Sequence, residues 1–354
     1  MTLARMKSLR SRLLAAIVLL ACATAALPQS RTDALTALEK DRRGADQTYL
    51  TFPEWFLVFS PDEYANVLQA SQPASTFPFF SHVGQFWGAY RQIIGATQGK
   101  YPFNGEYHTM IVVIGVSTTV EYAIKGAYET LVGRLTELTS SPNATPEDRL
   151  ATEQARAYVD FIRVRPWYEF DFVTPLKTLW TQTPWWGHDA LRKWERRYAL
   201  TSEWIVKAGY AALIKQATRS TFEAPRATTV AVVEGLPDGI EGKLPELRRL
   251  YQGSGRQALV EVPRYQAFTD YATTLSQGGS RFVEIAGNRG LILVSVVAPV
   301  AQPVHPDAHV LIRQPILTRA GFERRVLEVP VARLDALLTS QIASGEPVEH
   351  VFDY

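Results

Sequence analysis

Glu121 and Lys125 stand four residues apart with the carboxylate first, and Glu203 and Lys207 repeat that spacing. On a helix, residues at i and i+4 lie on one face, and this orientation suits an ion pair. Glu54 sits between Pro53 and Trp55 in an apolar stretch, and Glu169 lies inside the run Trp167-Tyr168-Glu169-Phe170-Asp171-Phe172. Carboxylates and amines set against apolar residues are the materials of general acid–base chemistry. If they converge in an interior, burial and mutual charge shift their pKa values, and Glu54, Glu121 or Glu169 becomes a general base with Lys125 beside it. On a solvated face the same pairs are surface ion pairs worth a few tenths of a kcal/mol. Both readings stand at the level of sequence.

Aromatic residues supply the second set of candidates. All eight tryptophans precede residue 205, and Trp167, Trp180, Trp185 and Trp186 belong to the densest stretch. Such rings fill the corners of a helical core, line an apolar ligand cleft, or rest at a lipid headgroup boundary. Trp185 and Trp186, next to Arg192, Lys193, Arg196 and Arg197, are the membrane-contact candidates, because aromatics with cations suit a headgroup layer. Trp167 joins them as a candidate for ligand or membrane contact. His305-Pro306-Asp307-Ala308-His309 alternates three metal-ligand types but brings no fourth, so a polar loop is expected there rather than a metal site. No Gly-x-Ser-x-Gly elbow, phosphate loop, dinucleotide fingerprint or His-Glu-x-x-His helix occurs, and no cofactor is expected.

The elements that would position these residues fall into two kinds. Residues 31–222 read as an aromatic-rich, bundle-like helical domain. Ser60-Pro61-Asp62-Glu63 and Thr145-Pro146-Glu147-Asp148 both have the grammar of a helix start. A long helix is expected over 106–138. Its first half, Met110 to Val116, is apolar on every face and is expected to be buried all round; its second half is amphipathic, with Tyr122, Lys125, Glu129 and Thr136 on one stripe. Another spans about 188–220, with Leu191, Trp194, Tyr198, Ile205, Ala208 and Ala212 as its apolar face.

After Phe222 the periodicity becomes two, and residues 226–354 read as a smaller antiparallel α+β domain expected to fold on its own. It contains an internal repeat: Val260-Glu261-Val262-Pro263 matches Leu327-Glu328-Val329-Pro330, and a glycine follows each proline by 15 residues, Gly278 and Gly345. Strand, Pro-opened helix, Gly stop and returning strand, used twice, suggest a ferredoxin-like layout with helices on one face of a sheet.

The chain opens with Arg5, Lys7, Arg10 and Arg12, then an uncharged apolar run from Leu13 to Leu27 that ends in small residues. This is the pattern of an export signal or membrane anchor over 1–30. Three processing routes are open: cleavage after Ala23-Thr24-Ala25, lipidation at Cys22, and retention as an uncleaved anchor. Residues 1–30 hold four of the 37 basic groups and none of the 35 acidic ones, leaving 33 against 35, a net charge of −2. That balance excludes a polybasic nucleic-acid surface. Cys22 is the one cysteine, so disulfides, thiolate metal sites and thiol nucleophiles are excluded downstream.

Thr48-Tyr49-Leu50-Thr51-Phe52-Pro53-Glu54-Trp55-Phe56 and Ile114-Gly115-Val116-Ser117-Thr118-Thr119-Val120-Glu121 resemble an uncharacterised group of bacterial envelope proteins. The resemblance covers the helical half and implies an envelope address without an activity. The expectation is an exported, membrane-tethered envelope protein facing the periplasm and acting as a binding or assembly module, its partners being the membrane through the N-terminal segment and an apolar ligand or envelope protein. The alternative is an envelope hydrolase or apolar-ligand binder that uses the carboxylates of the helical half.

Overall fold

The computed structural model describes residues 36–218, 226–253, 256–346 and 348–353. Residues 1–30, with Cys22, lie outside the described residues. Six helices come first: α1 (Gln47–Gln69), α2 (Phe79–Thr97), α3 (Gly105–Tyr128), α4 (Pro146–Ile162), α5 (Val173–Thr181) and α6 (Ala190–Thr218). α3 continues through a π-helical turn, Glu129–Gly133, into Arg134–Glu137.

The second expected helix start is present. Thr145 accepts from the Asp148 N–H and Asp148 from the Thr145 N–H, each at 3.1 Å, closing a capping box with Pro146 at the first turn. The first is not. Ser60 and Pro61 lie inside α1, which runs through both Pro53 and Pro61. Each proline removes a backbone donor, but α1 is buried on several sides and packing against α2, α4 and the second sheet holds it helical. Ser60 caps nothing; its hydroxyl is bonded to Tyr122 and His82 instead.

Eight strands follow in two units of identical plan. β1 (Thr228–Glu234), β2 (Arg248–Gln252), β3 (Gln257–Pro263), α7 (Gln266–Gln277) and β4 (Arg281–Ile285) form the first. β5 (Leu291–Pro299), β6 (His309–Pro315), β7 (Phe322–Pro330), α8 (Leu334–Ala343) and β8 (Val348–Val351) form the second. Each unit closes its own antiparallel sheet, in the orders β2-β3-β1-β4 and β6-β7-β5-β8. The α+β class and the repeat are therefore as read from the sequence, and the repeat extends to the whole unit. The ferredoxin-like layout is corrected, because the two strand-helix-strand units do not share a sheet. β4 returns to β1 and β8 to β5, each within its own unit.

The repeated motif has the same function in both places. In each, the sixth N–H bonds back across the helix end, Ser280 to the Leu275 carbonyl and Glu346 to that of Gln341, both at 3.0 Å. The left-handed residue is Gly279 (φ 83°) in the first unit and Gly345 (φ 72°) in the second, so the first stop lies one residue beyond Gly278. α7 and α8 pack on one another and each reaches both sheets, giving one core of Val233, Val260, Phe268, Val294, Leu327 and Leu337 with their neighbours.

The outer faces of the sheets are covered by the N-terminal part of the chain. Ala37 packs on Val230, Val232 and Leu259 of the first sheet, and its N–H donates to Glu284 at 2.6 Å. α1 covers the second sheet. Tyr49, Phe52 and Phe56 share a core with Leu293, Ile312, Val326 and Phe352, and the Tyr49 hydroxyl donates to Glu328 at 2.8 Å. The core thus crosses the boundary drawn between residues 222 and 226.

That shared core sets an expectation for the isolated C-terminal part. Exposing Leu293, Ile312, Val326 and Phe352 forfeits roughly 1.5–3 kcal/mol each, comparable in sum to the net stability of about 5–15 kcal/mol typical of a domain. Residues 226–354 expressed alone are expected to show poorly dispersed NMR signals and no cooperative melt. A sharp, cooperative transition in that fragment would show that α1 is dispensable for the second sheet.

Candidate functional site: the charged seam between α3 and α6

α3 and α6 run side by side with their charges turned toward each other. Lys207 Nζ lies 3.0 Å from Glu121 and 2.9 Å from Glu203, and Lys125 Nζ lies 3.0 Å from Glu203. The expected Glu203–Lys207 pair is present. Glu121 and Lys125 do not pair with each other; each reaches across to α6. Both lysines also sit over aromatic faces, Lys125 over Tyr64 at 4.7 Å and Lys207 over Tyr158 at 5.1 Å. Burial alone would raise the Glu203 carboxyl, but Lys125 and Lys207 outweigh it and hold the pKa at about 2. Lys207 is itself held well above its ordinary value: burial opposes that, and Glu121 and Glu203 override it.

The seam continues past the π-helical turn. Arg196 donates both terminal nitrogens to Glu129, at 2.8 and 3.0 Å, and also bonds Glu195. Arg192 reaches Glu195 and Asp148, each at 3.1 Å, and Thr136 donates to Glu195 at 3.1 Å. Gly133 makes room: a Cβ there would collide with a Glu129 carboxylate oxygen. Arg197 is 1% exposed and bonds Glu147, which is 0% exposed, at 2.6 Å. All four cations proposed to face lipid headgroups beside Trp185 and Trp186, namely Arg192, Lys193, Arg196 and Arg197, are therefore buried. Each buried charge needs a partner, and the acidic stripe of α3 and the start of α4 provide it for the arginines, while Lys193 bonds the Trp186 carbonyl.

The apolar faces point the other way. Met110, Val112, Val113 and Val116, expected to be buried all round, are exposed, and so are Leu191, Tyr198 and Ile205, expected to be the inner face of α6. The stripe Tyr122, Lys125, Glu129 and Thr136 faces inward instead, with all but Lys125 fully buried. Pairing the charges of both helices takes precedence over burying their aliphatic side chains.

The remaining candidates lie apart from the seam. Glu54 accepts from the Tyr107 hydroxyl at 2.7 Å, near the buried Arg264–Asp353 pair, and burial raises its pKa against the effects of Tyr107 and Arg264. Glu169 is exposed. Trp167 packs on Tyr210 at 5.2 Å between ring centres; Trp185 and Trp186 are exposed around Trp194. His309 bonds Glu328 at 2.8 Å, and among the described residues no group of His, Cys, Asp and Glu gathers as a metal site.

Sequence reading missed one further constellation. Ser60 Oγ lies 2.9 Å from His82 Nδ1 and 2.8 Å from the Tyr122 hydroxyl; His82 Nε2 lies 3.5 Å from Glu63, which pairs with Arg324 at 3.1 Å. These are the residue types of a hydrolase triad, but Ser60 and His82 are each 1% exposed and line neither cavity described below. Burial, with Arg324 adding to it, lowers the His82 pKa to about 3, so the ring is neutral. The group is a buried polar tie among α1, α2, α3 and β7. Ser60 and Glu63 stand three apart on α1, but His82, Tyr122 and Arg324 come from distant parts of the chain, and no local spacing marks their meeting.

The seam encloses a cavity of about 70 Å³ lined by Tyr64, Tyr122, Tyr158 and the four charged side chains. That is room for a few waters, against the roughly 300–1,000 Å³ of small-molecule sites. A larger cleft of about 570 Å³ lies between α1 and the second sheet. Most of its charges are paired, Arg163 at 3.1 Å from Asp62 and Arg324 with Glu63 and, at 2.6 Å, Glu349, while Arg319 lies over the Phe322 ring. No protein-family model, curated protein or solved structure matches the chain.

The geometry ranks the seam carboxylates. Glu203→Gln leaves Lys125 without its partner and is expected to cost about 3–5 kcal/mol at pH 7. Glu121→Gln is expected to cost about 1 kcal/mol or less, because Glu121 is partly exposed and Lys207 keeps Glu203. The folded pKa of Glu203 lies below its ordinary 4.5. Its contribution is therefore complete above roughly pH 5 and disappears as pH falls through about 2. Denaturation of wild type and both variants across that range checks this; equal losses, or a pH-independent difference for Glu203→Gln, would contradict it.

Proposed function

We propose that this is an exported cell-envelope protein, tethered to the membrane through residues 1–30, that acts as a binding or assembly module rather than as an enzyme. The observation that carries the reading is the inversion of α3 and α6: their charges neutralise one another inside, and a broad aliphatic face is left outside. Soluble monomers expose contiguous apolar patches of only a few hundred Å², and larger ones mark interaction surfaces. The basic, then apolar, N-terminal segment and the resemblance of Thr48–Phe56 and Ile114–Glu121 to bacterial envelope proteins support the same address.

The hydrolase alternative rests on Glu54, Glu121 or Glu169 facing a substrate-sized cleft. The one cleft of that size described above is lined by Asp62, Glu63 and Glu349 instead, of which Asp62 pairs with Arg163, and Glu63 and Glu349 with Arg324. Glu121 and Glu203 are held by lysines around a space for a few waters, Glu54 is engaged by Tyr107, and Glu169 stands in the open. None of these arrangements supports it.

A reporter enzyme that is active only outside the cytoplasm, fused after residue 60, is expected to be active, and its cytoplasmic retention would end the envelope reading. In the full chain, loss of membrane fractionation on Cys22→Ala would assign the tether to lipidation. Unchanged fractionation leaves cleavage or an uncleaved anchor, distinguished by the mass of the mature chain.

A further inference from the structure

The outward faces of α3 and α6 have a property that a water-facing surface lacks. Between Glu106 and Arg134 the exposed positions of α3 and its π-helical turn carry no charged residue, and the same holds for α6 from Leu191 to Gln216. Val120, Ile124 and Leu131 on one helix are 54%, 66% and 72% exposed, and Ile205, Val206 and Leu213 on the other 54%, 68% and 62%. The described side chains of α6 that carry charge are all turned inward or partly covered. Large aliphatic side chains exposed in such number along two neighbouring helices go beyond the singly scattered ones that are ordinary on a soluble surface.

The face is one-sided. α4, across the bundle, exposes Arg149, Glu153 and Asp160, so the helices do not sit in lipid on all sides as a transmembrane bundle would. The segment Gly105–Glu137 is long and apolar enough to cross a membrane and is mostly uncovered, yet its inner side carries the seam. Amphipathic helices of this kind lie in the membrane plane with the apolar side about 5–10 Å into the headgroup–acyl boundary. The ends of the face carry the residues that favour that boundary. The Ser141 N–H donates to Asp189 at 2.8 Å, bringing the segment that follows the α3 continuation to the start of α6; Arg134 on the first segment and Trp185 and Trp186 ahead of the second are exposed. Exposed Lys100 and Phe103 precede the start of α3. Tryptophan and cations at the margin of an aliphatic surface match the membrane–water interface.

We propose that this face is seated in the outer layer of a lipid bilayer, so that the protein is held by a monotopic contact of α3 and α6 as well as by its N-terminal segment. The proposal rests on the envelope reading, which brings the start of the same chain to a membrane. Lipid is favoured over a second copy because the face offers only uncharged hydrogen-bonding groups (Thr109, Ser117, Thr130, Ser202, Gln216 and two tyrosines), scattered among aliphatic side chains, with which a protein partner could fix a register. Acyl chains need no such register. The backbone of both helices is already satisfied internally, the condition for contact with hydrocarbon.

The test uses the full chain in a Cys22→Ala background, with single nitroxide labels at Val113, Val120, Ile205 and Leu213, and controls at Glu153 and Arg248. The protein is reconstituted with vesicles of phosphatidylethanolamine and phosphatidylglycerol, and collisions of each label with oxygen and with a water-soluble nickel chelate are compared. All six positions are exposed, so the labels leave the fold intact, which thermal melts verify. Oxygen accessibility several-fold above nickel accessibility at the four face positions, and the reverse at both controls, is the expected result. Nickel reaching all six would overturn the proposal. Protection of the four from both reagents, with short label-to-label distances between molecules, would overturn it in favour of a dimer. A cytoplasmic reporter combined with lipid-facing labels would refute the envelope address while leaving the bilayer contact standing, so the two failures are distinguishable.

Discussion

A charge taken out of water must find a partner, and in this protein that rule decides which way two long helices face. Seven charged residues of α6 between Arg192 and Lys207 are directed into the bundle, where Glu121, Lys125, Glu129, Glu137, Glu147 and Asp148 meet most of them. Leaving one partner out of a buried pair costs about 3–5 kcal/mol, more than burying an isolated aliphatic side chain returns. Several such pairs along one seam outweigh the aliphatic residues on the opposite faces, which are turned outward. The inversion, the small cavity and the exposed apolar face are three consequences of the same pairing.

The C-terminal half is built on a different economy. Two copies of one β-β-β-α-β unit enclose a shared apolar core, and their outer faces are left to the N-terminal chain. The repeat explains paired details. Glu261 and Glu328 occupy equivalent positions, yet Glu261 meets Thr228 and Arg248 near solvent whereas Glu328 is covered by Tyr49. One plan has acquired two environments because α1 covers only the second sheet. α1 and α2 together join the helical and sheet halves: Trp55 is stacked on His350 at 3.5 Å, Thr48 accepts from the Leu293 N–H at 3.0 Å, and Gln85 of α2 donates to the Pro315 carbonyl of β6 at 2.7 Å.

Much of this architecture was legible in the residues. The change of period after Phe222, the two Val/Leu-Glu-Val-Pro segments and the Thr145-Pro146 helix start all reported local geometry, and local geometry follows from neighbours in the chain. The spacing of Glu121 with Lys125 and of Glu203 with Lys207 likewise brought the right four residues forward. Their partners were not legible, because the cross-helix exchange depends on how two segments some 80 residues apart are aligned. The orientation of α3 and α6 was read backwards. An apolar stripe is ordinarily the buried one, and only the summed pairing of two charged stripes reverses that choice. The signal was present in the opposite signs of those stripes when the helices are laid antiparallel. Ser60, His82 and Glu63 had no such signal, since α1 and α2 must first be folded together.

Thiol reactivity tests the inverted orientation most directly. In the Cys22→Ala background, a cysteine at Val116 or Ile205 faces outward, and one at Leu200 or Ala211 is enclosed by α4, α5 and α6. In detergent-solubilised, folded protein, a small maleimide should modify Val116→Cys and Ile205→Cys rapidly, and Leu200→Cys and Ala211→Cys only after denaturation. Rapid modification at Leu200 and Ala211 with protection at Val116 and Ile205 would mean that the aliphatic faces are the buried ones, and would contradict the charged seam.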